Sequence, residues 1–371
     1  MSNMWIYGVV LLVVYLGANA YLFWRVLALI SSLPLALRIA LGVAFWLAAL
    51  MLFVAMALRN ADISAVVART MFNIGSVWLV FLLYAVLLTL LFDLVHCIFP
   101  KFGYGTPIAL VITLLIMVVG YVNYRNPRVE EIEIESDKIS EDLRLVVLSD
   151  VHLGYGTTRK MFAEYVELIN GLRADVVLIA GDLIDNSLHP VREQRMEELC
   201  AKIEARKGVY MALGNHEYIS GVDDVVAFLG DTPITLLRDS VAVPSEGVAI
   251  IGRDDRMNRH RKPLEVLVGE ADSTCMKIVL DHQPYDIALS DSLGVDLHIS
   301  GHTHRGQVWP LSYLVDAMYE QSYGYRKWSN THVYVSSGLS LWGPPFRIGT
   351  QSEIVVIRLK SLRQAHKVVD A

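Results

Sequence analysis

Five short stretches carry side chains suited to metal or acid–base chemistry. They are Asp150-Val151-His152, Gly181-Asp182-Leu183-Ile184-Asp185, Gly214-Asn215-His216-Glu217, Asp281-His282-Gln283-Pro284 and Gly301-His302-Thr303-His304. Their carboxylate, carboxamide and imidazole groups are the mixed donor set that suits manganese, iron or zinc better than calcium. In three of the stretches a glycine precedes the ligand-type residue, which suits a tight turn and close backbone approach. A single Asp-x-His occurs readily by chance, and a single histidine is usually a satisfied polar residue. Five such turns in one region are not accounted for in that way.

Each stretch follows an apolar run of strand length. Leu145-Val146-Val147-Leu148, Asp175 to Ala180 and Val209 to Leu213 read as strands covered on both faces, the pattern of a buried parallel sheet. Later strands are expected at Val248 to Gly252, Met276 to Asp281, Val295 to Ser300, Val333 to Ser337 and Glu353 to Leu359. Amphipathic helices are expected at Met161 to Leu172 and Val191 to Ile203. The alternation argues for parallel strands with helical crossovers. The polar residues then fall at strand carboxyl ends, where open α/β sheets bind ligands.

The rest of the chain has a different composition. Of 371 residues, 54% are hydrophobic and 19% charged, and the mean hydropathy is +0.43; ordinary soluble domains carry more charge. Four stretches are long enough to cross a bilayer: Trp5 to Trp24, Leu35 to Leu58, Ile74 to Phe99 and Ile108 to Tyr124. Arg59-Asn60-Ala61-Asp62 begins a polar loop that runs to Arg69, and Pro100-Lys101-Phe102-Gly103 breaks the third span from the fourth. The first span has no basic leader and no small-residue cleavage site, so it is read as a membrane span and not a cleaved signal. Arg25 is expected to extend towards the interface. Asp93 and His96 share a helix face near the end of their span, which suits an interfacial location. Four spans put the amino terminus and the carboxyl-terminal region on one side. Arg59, Arg69, Arg125 and Arg128 lie there, against Arg25, Arg38 and Lys101 on the other, so the positive-inside rule leans towards a cytoplasmic carboxyl-terminal domain. The formal net charge of -6 argues against nucleic acid as a partner. Cys97, Cys200 and Cys275 have neither zinc nor disulfide spacing and read as buried free thiols.

The ordered set of five stretches resembles the calcineurin-like metallophosphoesterase superfamily, over roughly Leu143 to Leu359, and within it the membrane-anchored branch. The run Ser300-Gly301-His302-Thr303-His304-Arg305-Gly306-Gln307-Val308-Trp309-Pro310 is similar to that branch's last motif, with Arg305 where many relatives have glycine. The resemblance implies an α/β fold, a four-layer α/β/β/α sandwich, preceded by an all-α transmembrane bundle of four helices. The expected division is residues 1–125 for the membrane domain, 126–142 for a linker with a lead-in strand, and 143–371 for the metallophosphoesterase domain. The resemblance also implies two divalent metal ions. One would be held by Asp150, His152, Asp182 and His304, the other by Asp182, Asn215, His282 and His302, with Asp182 bridging. His216 would act on the substrate, and Asp185 would orient it.

The chemistry of those residues supports the same roles. Two cations about 3.5–4 Å apart clamp the oxygens of a phosphoryl group and supply hydroxide from a bridging water near neutral pH. Two carboxylates against two dications leave a surplus positive charge that attracts phosphate. His216 would protonate the leaving oxygen or stabilise the transferring group. Arg305 and Arg347 are the nearby candidates for substrate contact. Arg253, Asp254 and Asp255 read as loop-forming. The expectation is a membrane-anchored hydrolase, with manganese, iron or zinc, cutting a phosphomonoester, phosphodiester or pyrophosphate. Anchoring in a cell membrane suggests a lipid-linked substrate; one version, suggested by some relatives in lipid A synthesis, is a pyrophosphatase for a nucleotide-linked acylated sugar. The alternative is a catalytically silent membrane sensor or scaffold with a phosphate-binding domain. A transporter is disfavoured, because the spans offer little sign of broken helices or a polar pathway.

Overall fold

The computed structural model describes residues 4–58 and 64–363. Its contacts divide the chain into two units, residues 1–122 with 343–346, and residues 123–342 with 347–371.

The first unit holds the helices α1 (Met4–Leu29), α2 (Leu35–Ala57), α3 (Ala65–Ile98) and α4 (Gly105–Arg125), the last of which runs on into the second unit. All four are long and apolar enough to cross a membrane. Their apolar side chains point outward, as a bilayer requires, and the bundle is held by a few specific contacts. Trp78 Nε1 of α3 donates to Asn19 Oδ1 of α1 at 2.9 Å, and Tyr15 Oη donates to the Ala49 carbonyl of α2 at 2.5 Å. A Cβ on Gly75 would lie 2.4 Å from the Leu52 nitrogen, so only glycine permits the α2–α3 approach, the small-residue packing expected between membrane helices.

Three expectations for this region are corrected. Arg25 does not simply reach to the interface: its Nη2 is 2.6 Å from Asp93 Oδ1 on α3, and its Nε donates to Thr106 Oγ1 on α4 at 3.1 Å. Asp93 also accepts from Tyr21 Oη at 2.5 Å, while His96 Nδ1 faces the Phe102 carbonyl at 2.9 Å instead of Asp93. The polar loop ends earlier than Arg69, because Ser64 caps α3 by accepting from the Val67 N–H at 3.4 Å; the Arg59-Asn60-Ala61-Asp62 part of that loop lies outside the described residues. Cys97 is exposed, unlike Cys200 and Cys275, and all three are free thiols.

Among the described residues of the second unit, twelve strands form two six-stranded sheets. They are β1 (Arg128–Ser136), β2 (Leu143–Leu148), β3 (Val176–Ala180), β4 (Val209–Ala212), β5 (Ile234–Leu236), β6 (Ser240–Ser245), β7 (Val248–Gly252), β8 (Met276–Leu280), β9 (Leu297–Ser300), β10 (Gly324–Lys327), β11 (His332–Val335) and β12 (Glu353–Ser361). The first sheet runs β1-β12-β2-β3-β4-β5 and the second β10-β11-β9-β8-β7-β6. β2 to β5 pair in parallel, as do β7, β8, β9 and β11. Leu145, Val147, Leu178 and Ala180 of one sheet meet Ile250, Ile278, Leu280 and Ile299 of the other in a shared core. Helices α5 (Arg159–Gly171), α6 (His189–Glu193), α7 (Glu197–Cys200), α8 (Asn215–Ile219) and α9 (Val222–Gly230) follow strands of the first sheet. Phe162, Val191, Leu199 and Phe228 from this set cover its outer face. Helix α10 (Leu264–Glu270) covers the second sheet through Leu264 and Leu267. The result is the expected α/β/β/α layering.

The helix expected over Val191 to Ile203 is two short helices instead. The chain turns between α6 and α7, where Arg195 has φ 51. Gln194, in that turn, binds the Arg159 N–H and the Gly154 carbonyl, bonds a continuous helix would not leave in reach.

Candidate metal centre

The parallel arrangement delivers the five polar stretches to one place. Asp150, Asp182 and Asn215 follow the carboxyl ends of β2, β3 and β4; His282 and the pair His302 and His304 follow β8 and β9. The turns are tied to one another through the main chain. The Asp150 N–H donates to the Gly181 carbonyl at 3.1 Å, and the Gly301 N–H donates to the His282 carbonyl at 2.9 Å. The two sheets are joined where the His302 N–H donates to the Asp150 carboxylate, at 3.1 and 3.2 Å from its oxygens. Gly301 has to be glycine, since a Cβ there would stand 1.8 Å from Ser149 Oγ and 2.4 Å from Asp150 Oδ2.

The backbone at the site is strained. Asp150 (φ 54), His152 (φ 49), Asp182 (φ 53), His302 (φ 71) and His304 (φ 47) all lie in the left-handed region. Each such residue costs on the order of 1 kcal/mol and persists only where its surroundings over-determine it. The strain turns each side chain back from its strand end into a common pocket. Asp150, His152, Asp182 and His282 are almost wholly buried there.

Three ligand-type groups each fall within 4.8 Å of one another: Asp150, His152 and His304; His152, Asp182 and His216; and Asp182, His282 and His302. Nε2 of His152 faces Nε2 of His304 at 3.3 Å, and His304 Nε2 lies 3.4 Å from Asp150 Oδ1. Nε2 of His282 is 3.0 Å from Asp182 Oδ2, and Asn215 Oδ1 is buried with no hydrogen-bond partner. Buried polar atoms are nearly always paired. Nitrogen and oxygen atoms crowded this closely fit a shared cation, and the mixed His, Asn and Asp set fits a divalent transition metal. The other ring nitrogen of His282 is fixed by the Ala180 carbonyl at 2.7 Å, the outer contact that orients a metal-binding imidazole.

The electrostatics agree. Burial alone would raise the Asp150 carboxyl, but His304, His152 and His282 outweigh it and hold it well below the usual carboxylate range. Asp182 is lowered against burial by His282 and His152. Both carboxylates are therefore ionised at neutral pH. Burial lowers His302 to about 4 and His304 to about 3, which leaves their lone pairs free. His152 is raised to about 10 and His282 well above its ordinary value, because Asp150, Asp182 and Asp185 outweigh burial. A pocket that draws protons onto His152 and His282 favours cations in their place, and metal entry releases those protons.

His216 stands at the edge of the cluster. Its N–H donates to Asp182 Oδ1 at 2.8 Å, its Nδ1 is 3.3 Å from Asp185 Oδ1, and its ring packs 6.1 Å from the Trp342 ring. Asp185 also stands 3.6 Å from His152 Nδ1. Arg305 lies over the Tyr323 ring at 4.3 Å and is partly exposed. The expectation for Arg347 is corrected. It is 0% exposed, and its guanidinium donates to the carbonyls of His304, Gly338 and Ser340 at 3.1, 3.0 and 2.8 Å. It braces the His304 turn from behind and does not reach a substrate.

Residues 143–306 match the calcineurin-like phosphoesterase family. A Helicobacter pylori protein named "Uncharacterized metallophosphoesterase" is 34% identical over 252 residues, covering 66% of this chain and 67% of its own length. The chain is a calcineurin-like metallophosphoesterase. A Danio rerio protein named "Transmembrane protein with metallophosphoesterase domain" is 36% identical over 275 residues, covering 69% of this chain and 62% of its own. With its four apolar helices, this metallophosphoesterase is a membrane protein.

Sequence reading missed Glu217. It is 0% exposed, and its carboxylate accepts from the N–H groups of Asp182 at 3.0 Å, Ile184 at 3.0 Å and Gly214 at 2.7 Å. One side chain thereby fixes the turns after β3 and β4. The signal available was an acidic residue beside Asn215 and His216. Arg253, Asp254 and Asp255 do form the loop after β7, but a buried one: Arg253 pairs with Asp281 at 3.0 Å and Asp286 at 2.8 Å, and Asp255 accepts from Gln283 at 2.8 Å, next to His282.

Proposed function

We propose that this metallophosphoesterase is a dinuclear phosphohydrolase anchored in the cell membrane. The observation that carries the reading is the cluster of buried donor atoms around an ionised Asp182, with Asn215 Oδ1 unpartnered and His282 Nε2 3.0 Å from Asp182 Oδ2. Asp150, His152, Asp182 and His304 would hold one divalent ion, and Asp182, Asn215, His282 and His302 the other. When bound, such a pair supplies a clamp on phosphoryl oxygens and a nucleophile available near neutral pH. The protein's own residues do the rest. His216 holds the proton passed to the leaving oxygen, and Asp185, 3.3 Å from its Nδ1, sets the ring's orientation. Arg305, 4.3 Å over the Tyr323 ring, is placed to contact the phosphate or its substituent.

The membrane helices favour an amphiphilic, lipid-linked phosphoester or pyrophosphate as substrate, and the distribution of Lys and Arg favours a cytoplasmic catalytic domain. Protein solubilised in detergent and supplied with manganese should hydrolyse phosphomonoester or phosphodiester test compounds, with lipid-linked forms turned over faster than soluble ones. Equal turnover of the two classes, or preference for the soluble one, overturns the lipid assignment. Absence of turnover on every phosphoester, with metal bound, favours a phosphate-binding sensor.

A further inference from the structure

We propose that the membrane unit carries a binding site for an anionic phospholipid, between α1 and α2. A groove of about 500 Å³ runs there, lined by Leu27 of α1 and by Arg38, Ile39, Gly42, Trp46 and Leu50 of α2. Arg38, Gly42, Trp46 and Leu50 recur every four residues and so form one stripe along the helix. From Arg38 to Leu50 the stripe extends about 18 Å at 1.5 Å per residue, close to the depth of one leaflet, or half a hydrocarbon core of about 30 Å. The groove is apolar along its length and cationic at one end.

That cationic end is built for a phosphate. Arg38 lies in the first turn of α2, at a membrane face. Its Nε is buried with no hydrogen-bond partner, and among the described residues no carboxylate pairs with its guanidinium. Arg25, at the same face, contrasts with it, since Asp93 neutralises Arg25 at 2.6 Å. The start of α2 is also open: Pro34 is its N-cap and no side chain caps it. The N–H groups of the first turn and the positive end of the helix therefore face outward. A phosphate diester there accepts from the guanidinium and the free N–H groups, while one acyl chain fills the groove beneath. A headgroup with net negative charge is favoured over a zwitterionic one, whose ammonium would stand against Arg38.

Gly42 keeps the groove open. A Cβ at this position would already lie 3.2 Å from Phe23 Cζ. Gly42→Leu should therefore block the acyl chain without touching the cation, and Arg38→Gln should remove the cation without blocking the groove. Gly17→Leu is the control, because a Cβ there meets nothing within 4 Å. The experiment is native mass spectrometry of the full chain in detergent, delipidated and then supplied with phosphatidylglycerol and phosphatidylcholine in equal amounts. The wild type and Gly17→Leu should retain phosphatidylglycerol in preference by about tenfold, the size of one charge-assisted hydrogen bond. Arg38→Gln should lose the preference, Arg38→Lys should keep part of it, and Gly42→Leu should retain less of both lipids. Equal retention of the two lipids by the wild type, or an undiminished preference in Arg38→Gln, overturns the site. Unchanged retention in Gly42→Leu overturns the groove as the acyl-chain seat.

Discussion

Two residues divide the chemistry in a way that can be measured separately. Asp182 faces both proposed ion positions, so Asp182→Ala should remove metal and activity together, read by elemental analysis and turnover on the same sample. His216→Ala should keep its metal and lose about 10²- to 10⁴-fold in turnover, the usual worth of a positioned acid. If the His216 variant also loses metal, its assignment as a proton donor fails. Glu217 acts at one remove. Removing its carboxylate strands three buried N–H groups at about 1–3 kcal/mol each, so Glu217→Ala should lower the melting temperature and bind metal more weakly, and Glu217→Gln should recover part of both. His298 gives a pH test. Burial, with Arg253 adding to it, lowers its pKa from 6.5 to about 4, and its ring nitrogens face Ser290 Oγ and Ser300 Oγ at 2.8 and 3.0 Å. The unfolded chain then binds the proton more readily than the folded one. The corresponding stability is present above pH 6.5 and lost as pH falls towards 4, on the order of 3 kcal/mol. Thermal unfolding of metal-free protein between pH 7 and pH 4.5 should therefore show a smaller decline in His298→Asn than in the wild type.

Among the elements, the strands that carry the site were the most legible. β2, β3 and β4 are covered on both faces, so apart from Arg144 and Tyr210 their residues are apolar and buried and the polar turn after each one stands out. β5, β6 and β10 were not found. They are edge strands: β5 has only three residues, β6 includes Pro244 and has no fully buried residue, and β10 is mostly exposed, so none shows the pattern of a covered face. The misplaced helix over Val191 to Ile203 has a similar origin, since its apolar residues do pack on the first sheet but from two short helices. Arg347 was misjudged because sequence offers no measure of burial, and an arginine beside a phosphate-type motif reads as a ligand contact. The same turns supply a prediction at this scale. Gly301→Ala would drive a Cβ into Ser149 and Asp150, so it should displace the Asp150 carboxylate, lower metal affinity and reduce activity, even though Gly301 has no side chain to offer a metal. Metal affinity equal to wild type in that variant would show that the close approach is not required.

At the level of the molecule, the sequence divides into two materials for two solvents. The amino-terminal third satisfies its backbone within helices and turns apolar side chains outward. The remainder buries two sheets against each other and spends its irregular backbone at one end, where five turns meet and three of them hold ligand-type residues in the left-handed region. Ion pairing inside the membrane unit was the least legible part, because Arg25, Asp93 and Thr106 are far apart in sequence and only the packing of three helices brings them together. The central proposal is that Asp182 would be shared by two metal ions that serve phosphoester hydrolysis. The most direct test is to titrate metal-free full chain with manganese while recording both bound metal and hydrolysis of a phosphodiester test substrate. Two ions per chain, with activity rising as the second binds and neither recovered in Asp182→Ala, is the predicted result. Full activity with one ion bound, or two ions retained by Asp182→Ala, would contradict it.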